Sequence, residues 1–201
     1  MVDARFLSRL GLFVKEDFLS AHTCAEYINL ARQTPATRAM VADGDKIMLD
    51  EETRRTYDVH VGNAAKEAVY STLLSVRSDL ENHFGVQLKD CIYPAFLSYR
   101  VGDFFHRHPD NTGNADLPES IKRRKVSVVV FLNDHDEQNS PETFAGGELT
   151  FYGLMSDPRL ENKGLPLRSK AGLLVAFRSD LKHEVRPVTH GERFTVVSWF
   201  Y

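Results

Sequence analysis

The chain has 201 residues, of which 42% are hydrophobic and 26% charged, with 25 Lys+Arg against 28 Asp+Glu and a formal net charge of −3. This is the composition of an ordinary soluble globular protein, sized for one domain with a substantial buried core. The mild acidity gives no broad electrostatic reason to expect nucleic acid or an anionic membrane as the main partner.

In the opening segment MVDARFLSRLGLFVKEDFL, charged residues interrupt every apolar run, so neither a secretory core nor a membrane span of about 20 residues can be drawn there. Helical periodicity runs from about Lys15 to Gln33, with Phe18, Cys24, Tyr27, Ile28 and Ala31 near one face, Ser20 or Thr23 as N-cap, and Pro35 beyond the end. Thr37 to Val61 reads as short strands joined by a turn at Gly44. A second helix is expected from about Asn63 to His83, where Ala64, Val69, Leu73, Leu74, Val76 and Leu80 form an apolar stripe and Gly85 supplies the stop. The two cysteines, Cys24 and Cys91, stand apart and in no CxxC pair, which predicts reduced thiols in or near the core and a cytoplasmic protein.

From Cys91 onward the texture changes to short β-rich runs: IYPAFLSYRV, VSVVVFLN, GELTFYG, LPLRS, GLLVAF, EVRPV and RFTVVSWFY, separated by Gly, Pro, Asp and Asn clusters. The expected fold is mainly β within an α+β class, with two N-terminal helices buttressing one face of a β-barrel. A single domain over 1–201 follows, in which 1–90 supplies helical and short-strand support and 91–201 forms the barrel. Asn111 to Arg124 and Asp134 to Ala145 are polar loops long enough to rim the barrel mouth.

Chemistry concentrates at His108-Pro109-Asp110. Residues i and i+2 of an extended segment point to one side, so the triplet can present an imidazole and a carboxylate to one ion. His183 is a third candidate ligand, and two histidines with one carboxylate can occupy one face of Fe(II) and leave the other open. Arg193 follows ten residues later.

Around these residues the order Tyr99-x2-Gly102-x2-Phe105-x2-His108-x-Asp110, then Gly146-Gly147-Glu148-Leu149, then His183-x-Val185-x-Pro187-Val188-x2-Gly191-x-Arg193-x5-Trp199-Phe200 resembles the 2-oxoglutarate and Fe(II)-dependent dioxygenases, and within them the prolyl 4-hydroxylase-like branch. The resemblance covers roughly Tyr99 to Tyr201. It implies a double-stranded β-helix, or jelly-roll barrel, with Fe(II) held by His108, Asp110 and His183, which are then the catalytic centre. It further implies that Arg193 grips the distal carboxylate of 2-oxoglutarate, with Tyr99 lining the co-substrate pocket and Trp199 forming an aromatic wall near the iron. A planar, permanently charged guanidinium suits that task. Many animal-type members carry a tyrosine where this chain has Phe131, so co-substrate binding leans more on Arg193, with Tyr99 or Thr195 as helpers.

The implied reaction consumes 2-oxoglutarate and O2, releases succinate and CO2, and hydroxylates an unactivated C–H bond, with ascorbate as a possible reductant. An intact carboxylate at Asp110 favours hydroxylation over halogenation. The expected substrate is a prolyl residue in a peptide or protein; a free amino acid or other small metabolite is the alternative, and a non-catalytic ligand-binding barrel a third reading. Arg124 aligns with a substrate-facing arginine, and Tyr201 falls where the family often lines its substrate channel. Against this, the run Lys122-Arg123-Arg124-Lys125 also reads as a solvated turn. The nucleic-acid dealkylases carry a second arginine where this chain has Trp199, which argues against that substrate class.

The remaining histidines are assigned bland roles: His106 exposed or supporting, His135 and His190 solvent-facing, and His22, His60 and His83 outside the matched region. Gly146-Gly147 and Gly102 are expected to serve turns.

Overall fold

The computed structural model describes residues 3–43, 46–137, 140, 142–155 and 157–201. Two antiparallel sheets face one another. The larger has seven strands in the order Phe13–Lys15, Leu174–Arg178, Val126–Phe131, Arg193–Phe200, Ala95–Tyr99, Tyr57–Val59, Ala36–Arg38. The smaller has five: Leu165–Leu167, Leu149–Phe151, His183–Val185, Phe104–His108, Arg54–Arg55. This is the barrel that the β-rich runs predict, in the jelly-roll form that the family resemblance implies, and the region before residue 91 contributes strands to both sheets.

The period-2 alternation of the long strands divides the core in two. Val126, Val128, Val130, Phe194, Val196 and Phe200 point away from the smaller sheet and pack against Cys24, Ala31, Val69, Leu73 and Leu80 of the helices. Val129, Phe131, Leu97, Tyr99, Val175 and Phe177 point the other way and meet Leu149, Phe151 and Val185 across the barrel. The helices therefore cover one face of the larger sheet, and the other face lines the barrel.

Helix boundaries differ from the periodicity reading for identifiable reasons. The first long helix is Ala21–Gln33, because the Ser20 side chain accepts from the Thr23 backbone N–H as N-cap, while Phe13–Lys15 pairs with Leu174–Arg178 as an edge strand. The second long helix splits into Asn63–Leu74 and Arg77–Phe84, with Ser75 and Val76 closing one turn and opening the next, and Gly85 ends it in the left-handed conformation at φ 64°. A short helix Ala4–Arg9, capped by Asp3, lies in the segment without clear periodicity. Val41–Asp43 and Lys46–Met48 pair as a hairpin; the expected Gly44 turn lies outside the described residues. Cys24 and Cys91 are free and buried, and burial pushes both thiols up to about 11. Among the described residues no helix is long and apolar enough to cross a membrane.

Candidate metal centre and co-substrate pocket

The extended segment that carries His108 is a strand, Phe104–His108. It lies antiparallel to His183–Val185 with His108 opposite His183, and the register shifts between His183 and Val185. Facing positions on paired strands bring side chains within contact, so the two imidazoles sit with ring centroids 4.4 Å apart. Asp110, two residues beyond the strand end, turns its carboxylate towards both. Its Oδ1 is 3.8 Å from His108 Nε2 and its Oδ2 is 3.7 Å from His183 Nε2. These separations are too long for hydrogen bonds, and the three donor atoms lie within 4.8 Å of one another.

The ring nitrogens are oriented by main-chain carbonyls. His108 Nδ1 is 2.7 Å from the His106 carbonyl oxygen and His183 Nδ1 is 2.9 Å from that of Leu181. A carbonyl only accepts, so each Nδ1 carries the proton and each Nε2 directs a lone pair at the space beside Asp110. Phe105 stacks on the His108 ring at 3.5 Å and Phe177 packs edge-on against His183 at 4.6 Å, holding both rings in place. Burial, reinforced by His183, pushes His108 down to about 3, which leaves it a neutral ligand. Burial alone would raise Asp110, but His183, His108 and hydrogen bonds from Ser127 and Trp199 together hold it below the usual carboxylate range.

Two imidazoles and one carboxylate held ionised, with no thiolate, form the donor set suited to a non-haem Fe(II) ion with open positions. A structural zinc site would normally close its fourth position with a protein ligand; among the described residues no further His, Cys, Asp or Glu joins this group.

The triad opens into a pocket of about 370 Å³ whose lining includes Tyr99, Leu149, Val185, Arg193, Thr195 and Trp199. At its deep end lies Arg193, only 2% exposed. Its strand pairs it with Tyr99 across the ladder, and its Cζ sits 5.0 Å from the ring centroids of both Tyr99 and Phe131. The guanidinium donates to Thr195 Oγ1 at 3.4 Å, while Nε is buried without a partner. Burial pushes its pKa down to about 10, against the opposing pull of Tyr99, so it remains charged at neutral pH. A buried, unpaired cation costs on the order of several kcal/mol; a ligand carboxylate docked here removes that penalty.

Gly147 shapes this end. Its φ is +62°, and a Cβ there would stand 2.9 Å from Val188 Cγ2 and 3.1 Å from Arg193 Cδ. The neighbouring Gly146, at φ +66°, would place a Cβ 2.4 Å from the Pro187 carbonyl oxygen. Gly146 is part of the two-residue strand Ala145–Gly146, paired with Val188–His190 across a register shift, rather than the turn expected there, and Gly147 follows it and admits the Arg193 side chain. Gly102, at φ +85°, does sit in the expected turn, with the Asp103 N–H donating to the Arg100 carbonyl.

Of the residues singled out from sequence, His108, Asp110, His183, Tyr99, Arg193, Thr195, Arg124 and Trp199 all line this pocket. Tyr201 does not. Its backbone is zipped to Lys89 and Asp90, and its ring lies under the Arg123 guanidinium at 3.8 Å, away from the site. The Lys122 to Lys125 run divides: Arg124 turns inward over Trp199, while Lys122, Arg123 and Lys125 are exposed. His106 is exposed as expected. His135 corrects the sequence reading, because its side chain is only 3% exposed, packs edge-on against Phe144 and stands 3.6 Å from Glu148. The polar loop folds back on itself through the Asp136 N–H to Phe144 carbonyl bond, which composition does not reveal. Arg54, Phe105 and Ser127 of the lining were also missed. Phe105 alone left a signal, three residues before His108 in the motif.

A jelly roll whose mouth holds a two-histidine, one-carboxylate group above a buried lone guanidinium defines an iron-site barrel with an acidic co-substrate. The model of the 2OG-Fe(II) oxygenase superfamily matches residues 94–201, and the chain belongs to that superfamily, whose members use Fe(II), 2-oxoglutarate and O2. A PKHD-type hydroxylase of Shewanella sp. (strain ANA-3) is 33% identical over 109 residues, spanning 53% of this chain and 41% of that protein. Another, of Beijerinckia indica subsp. indica, is 34% identical over 110 residues, 53% of this chain and 42% of its own. The matched segment thus spans about two fifths of these curated relatives. Among solved structures, a Pseudomonas putida prolyl-4-hydroxylase has a TM-score of 0.70 at 23% identity, covering 94% of this chain and 91% of that one. A prolyl hydroxylase from Trichoplax adhaerens, in complex with a hypoxia inducible factor oxygen degradation domain peptide fragment, has a TM-score of 0.72 at 22% identity, covering 98% and 86%. These likenesses establish the double-stranded β-helix fold.

Proposed function

We propose that the protein is a 2-oxoglutarate- and Fe(II)-dependent dioxygenase that hydroxylates a prolyl residue in a peptide or protein, with residues 1–201 acting as one catalytic unit. The observation that carries the reaction is the pairing of the His108, Asp110 and His183 group with the buried Arg193 guanidinium, which has no carboxylate at ion-pair distance among the described residues, in one pocket. The prolyl assignment draws on the PKHD-type hydroxylases and prolyl hydroxylases to which the chain is similar.

In this reading His108 Nε2, His183 Nε2 and one Asp110 oxygen hold the metal. When bound, Fe(II) with 2-oxoglutarate and O2 supplies the oxidising power, with ascorbate as the reductant that keeps the metal ferrous. The protein's contribution is placement. Arg193 anchors the distal carboxylate of 2-oxoglutarate, with Thr195 and Tyr99 beside the guanidinium. Phe131 adds an apolar wall where a hydroxyl is absent. The apolar lining of Leu149, Val185 and Leu97 excludes water and strengthens the Arg193 contact. Trp199 helps to hold Asp110 ionised, while its ring and Arg124 form the wall against which the substrate rests.

The direct test is succinate formation with Fe(II), 2-oxoglutarate and ascorbate, with and without a proline-containing peptide. Peptide-stimulated succinate release with a mass gain of one oxygen on proline is the expected result. Absence of 2-oxoglutarate turnover under every condition would overturn the reading.

A further inference from the structure

The reaction above uses the charge of one pocket arginine, Arg193, yet the lining holds two more. Arg54 comes from the short edge strand of the smaller sheet. Its guanidinium lies over Phe105 with Cζ 4.7 Å from the ring centroid, and its Nη1 donates to the Met40 carbonyl at 3.0 Å. Arg124 comes from the opposite rim, its Cζ 3.9 Å from the Trp199 ring centroid, with one long bond of 3.4 Å to the Asp110 carbonyl oxygen. Both side chains are held by aromatic faces and main-chain oxygens, and both have a buried Nε without a partner. Among the described residues neither has a carboxylate at ion-pair distance. Neighbouring arginines do: Arg38 bonds Asp103 and Glu51, and Arg100 reaches Glu192. The two pocket guanidiniums also sense each other, since Arg54 adds to the burial that pushes Arg124 down, against the pull of Asp110.

The charge balance of the filled site makes this informative. Asp110 is the one acidic residue among the described lining residues. Fe(II) with Asp110 carries one net positive charge, Arg193 a second, and the dianion of 2-oxoglutarate cancels both. Arg54 and Arg124 are left over. A neutral substrate would close the pocket on two uncompensated cations, an arrangement whose cost grows as water leaves.

We propose that the substrate carries a carboxylate close to the hydroxylated carbon, gripped between Arg54 and Arg124. This rests on the prolyl hydroxylase reading, and within it the carboxylate has two sources: an Asp or Glu side chain beside the proline, or the free α-carboxylate of a terminal proline. The guanidinium forks fit either, because each offers paired N–H donors to planar oxygens.

Trp199 is the sole tryptophan of the chain, so its fluorescence reports occupancy of the space beside Arg124. The experiment titrates the full chain, loaded with Mn(II) and 2-oxoglutarate, with blocked proline hexapeptides that differ only by Asp or Asn next to proline. A second pair compares a peptide ending in proline as free acid and as amide. We expect at least tenfold tighter binding of the acidic member of one pair, weakening as salt rises. That preference should collapse in Arg54→Gln and Arg124→Gln and partly return in Arg54→Lys. An Asp-over-Asn preference identifies the side chain as the source, and an acid-over-amide preference identifies the terminus. Equal binding within both pairs overturns the proposal, as does a preference that survives both Gln variants. Succinate formation from 2-oxoglutarate without peptide judges the reaction itself, so failure of one assignment is distinguishable from failure of the other.

Discussion

Along the strand Arg193–Phe200, Phe194, Val196 and Phe200 meet the helices, while Arg193, Thr195, Val197 and Trp199 face the pocket. The neighbouring Val126–Phe131 divides in nearly the same way, with Val126 and Val130 in the helix-facing core, Ser127 and Val129 lining the pocket, and Val128 belonging to that core while also bordering the pocket. The helix-facing side is closed and apolar, and its burial stabilises the fold at about 25 cal/mol per Å². The pocket-facing side holds a buried cation that is destabilising until a ligand meets it, beside a carboxylate and two imidazoles that leave their donor atoms free for a metal. One sheet thus supports the fold on one face and stores unmet electrostatic demand on the other.

That contrast is tested most severely at the metal centre. His108→Ala removes a ligand without touching the helix-facing core. Losing an outer-shell partner of a metal ligand typically costs 10 to 100-fold in affinity or activity, so losing the ligand itself should cost more than about 100-fold in Fe(II)-dependent succinate formation. The thermal midpoint of the metal-free protein should stay within a few degrees of the parent. A large fall in that midpoint would show that the triad supports the fold.

Arg193→Met separates the two faces by sign. The KM for 2-oxoglutarate should rise about 10 to 150-fold, the equivalent of about 1.5 to 3 kcal/mol for a hydrogen bond to a charged group. The ligand-free protein should melt higher, because an apolar side chain replaces a buried unpaired charge. Destabilisation together with unchanged 2-oxoglutarate affinity would assign Arg193 to the core. The same residue fixes the pH behaviour. Its folded pKa is depressed to about 10, below the ordinary range of a free guanidinium. The ligand-free fold therefore carries the penalty of the charged form at neutral pH and is relieved of it as pH rises through about 10. Over that same interval 2-oxoglutarate affinity should fall, measured by titration at fixed ionic strength.

On the opposite face, Val196→Ala should lower stability by about 2 kcal/mol through lost burial and a small cavity. Chemical denaturation measures this, and activity per folded molecule should not change. A matching loss of activity would show that the two faces are coupled through the strand.

This division by parity explains what the sequence discloses. The β-rich texture of VSVVVFLN and RFTVVSWFY is local, so the strands could be read directly, while the pocket placement of Arg193, Thr195 and Trp199 was legible only through the family resemblance. His108, Asp110 and His183 were legible because their chemistry is distinctive at short spacing and in order along the chain. Arg54 and His135 were not, since their placement depends on which strand edges the smaller sheet and on how a polar loop folds back against Phe144. Tyr201 misled for the same reason: it keeps the inward parity of Trp199 but lies past the last paired residue, where the Asp90 segment and Arg123 capture it. Periodicity likewise overran the helix ends, because Ser20 caps and a β-pair at Phe13–Lys15 compete with it at positions set by tertiary contacts.

The smallest expected effect on co-substrate binding lies where the two demands meet, at Gly147. Its left-handed φ of +62° strains any substituent, and the added carbon would press on Arg193 Cδ. Gly147→Ala should cost about 1 to 3 kcal/mol from the backbone alone. If the cost were only conformational, stability would fall and 2-oxoglutarate affinity would hold. Because the new carbon also displaces the guanidinium stem, KM should rise several-fold with kcat per folded molecule less affected, since positioning losses in a charged contact appear first in binding. An unchanged KM would mean that the Arg193 side chain relaxes freely in its slot, and that the pocket face is less tightly organised than its unpaired guanidinium implies.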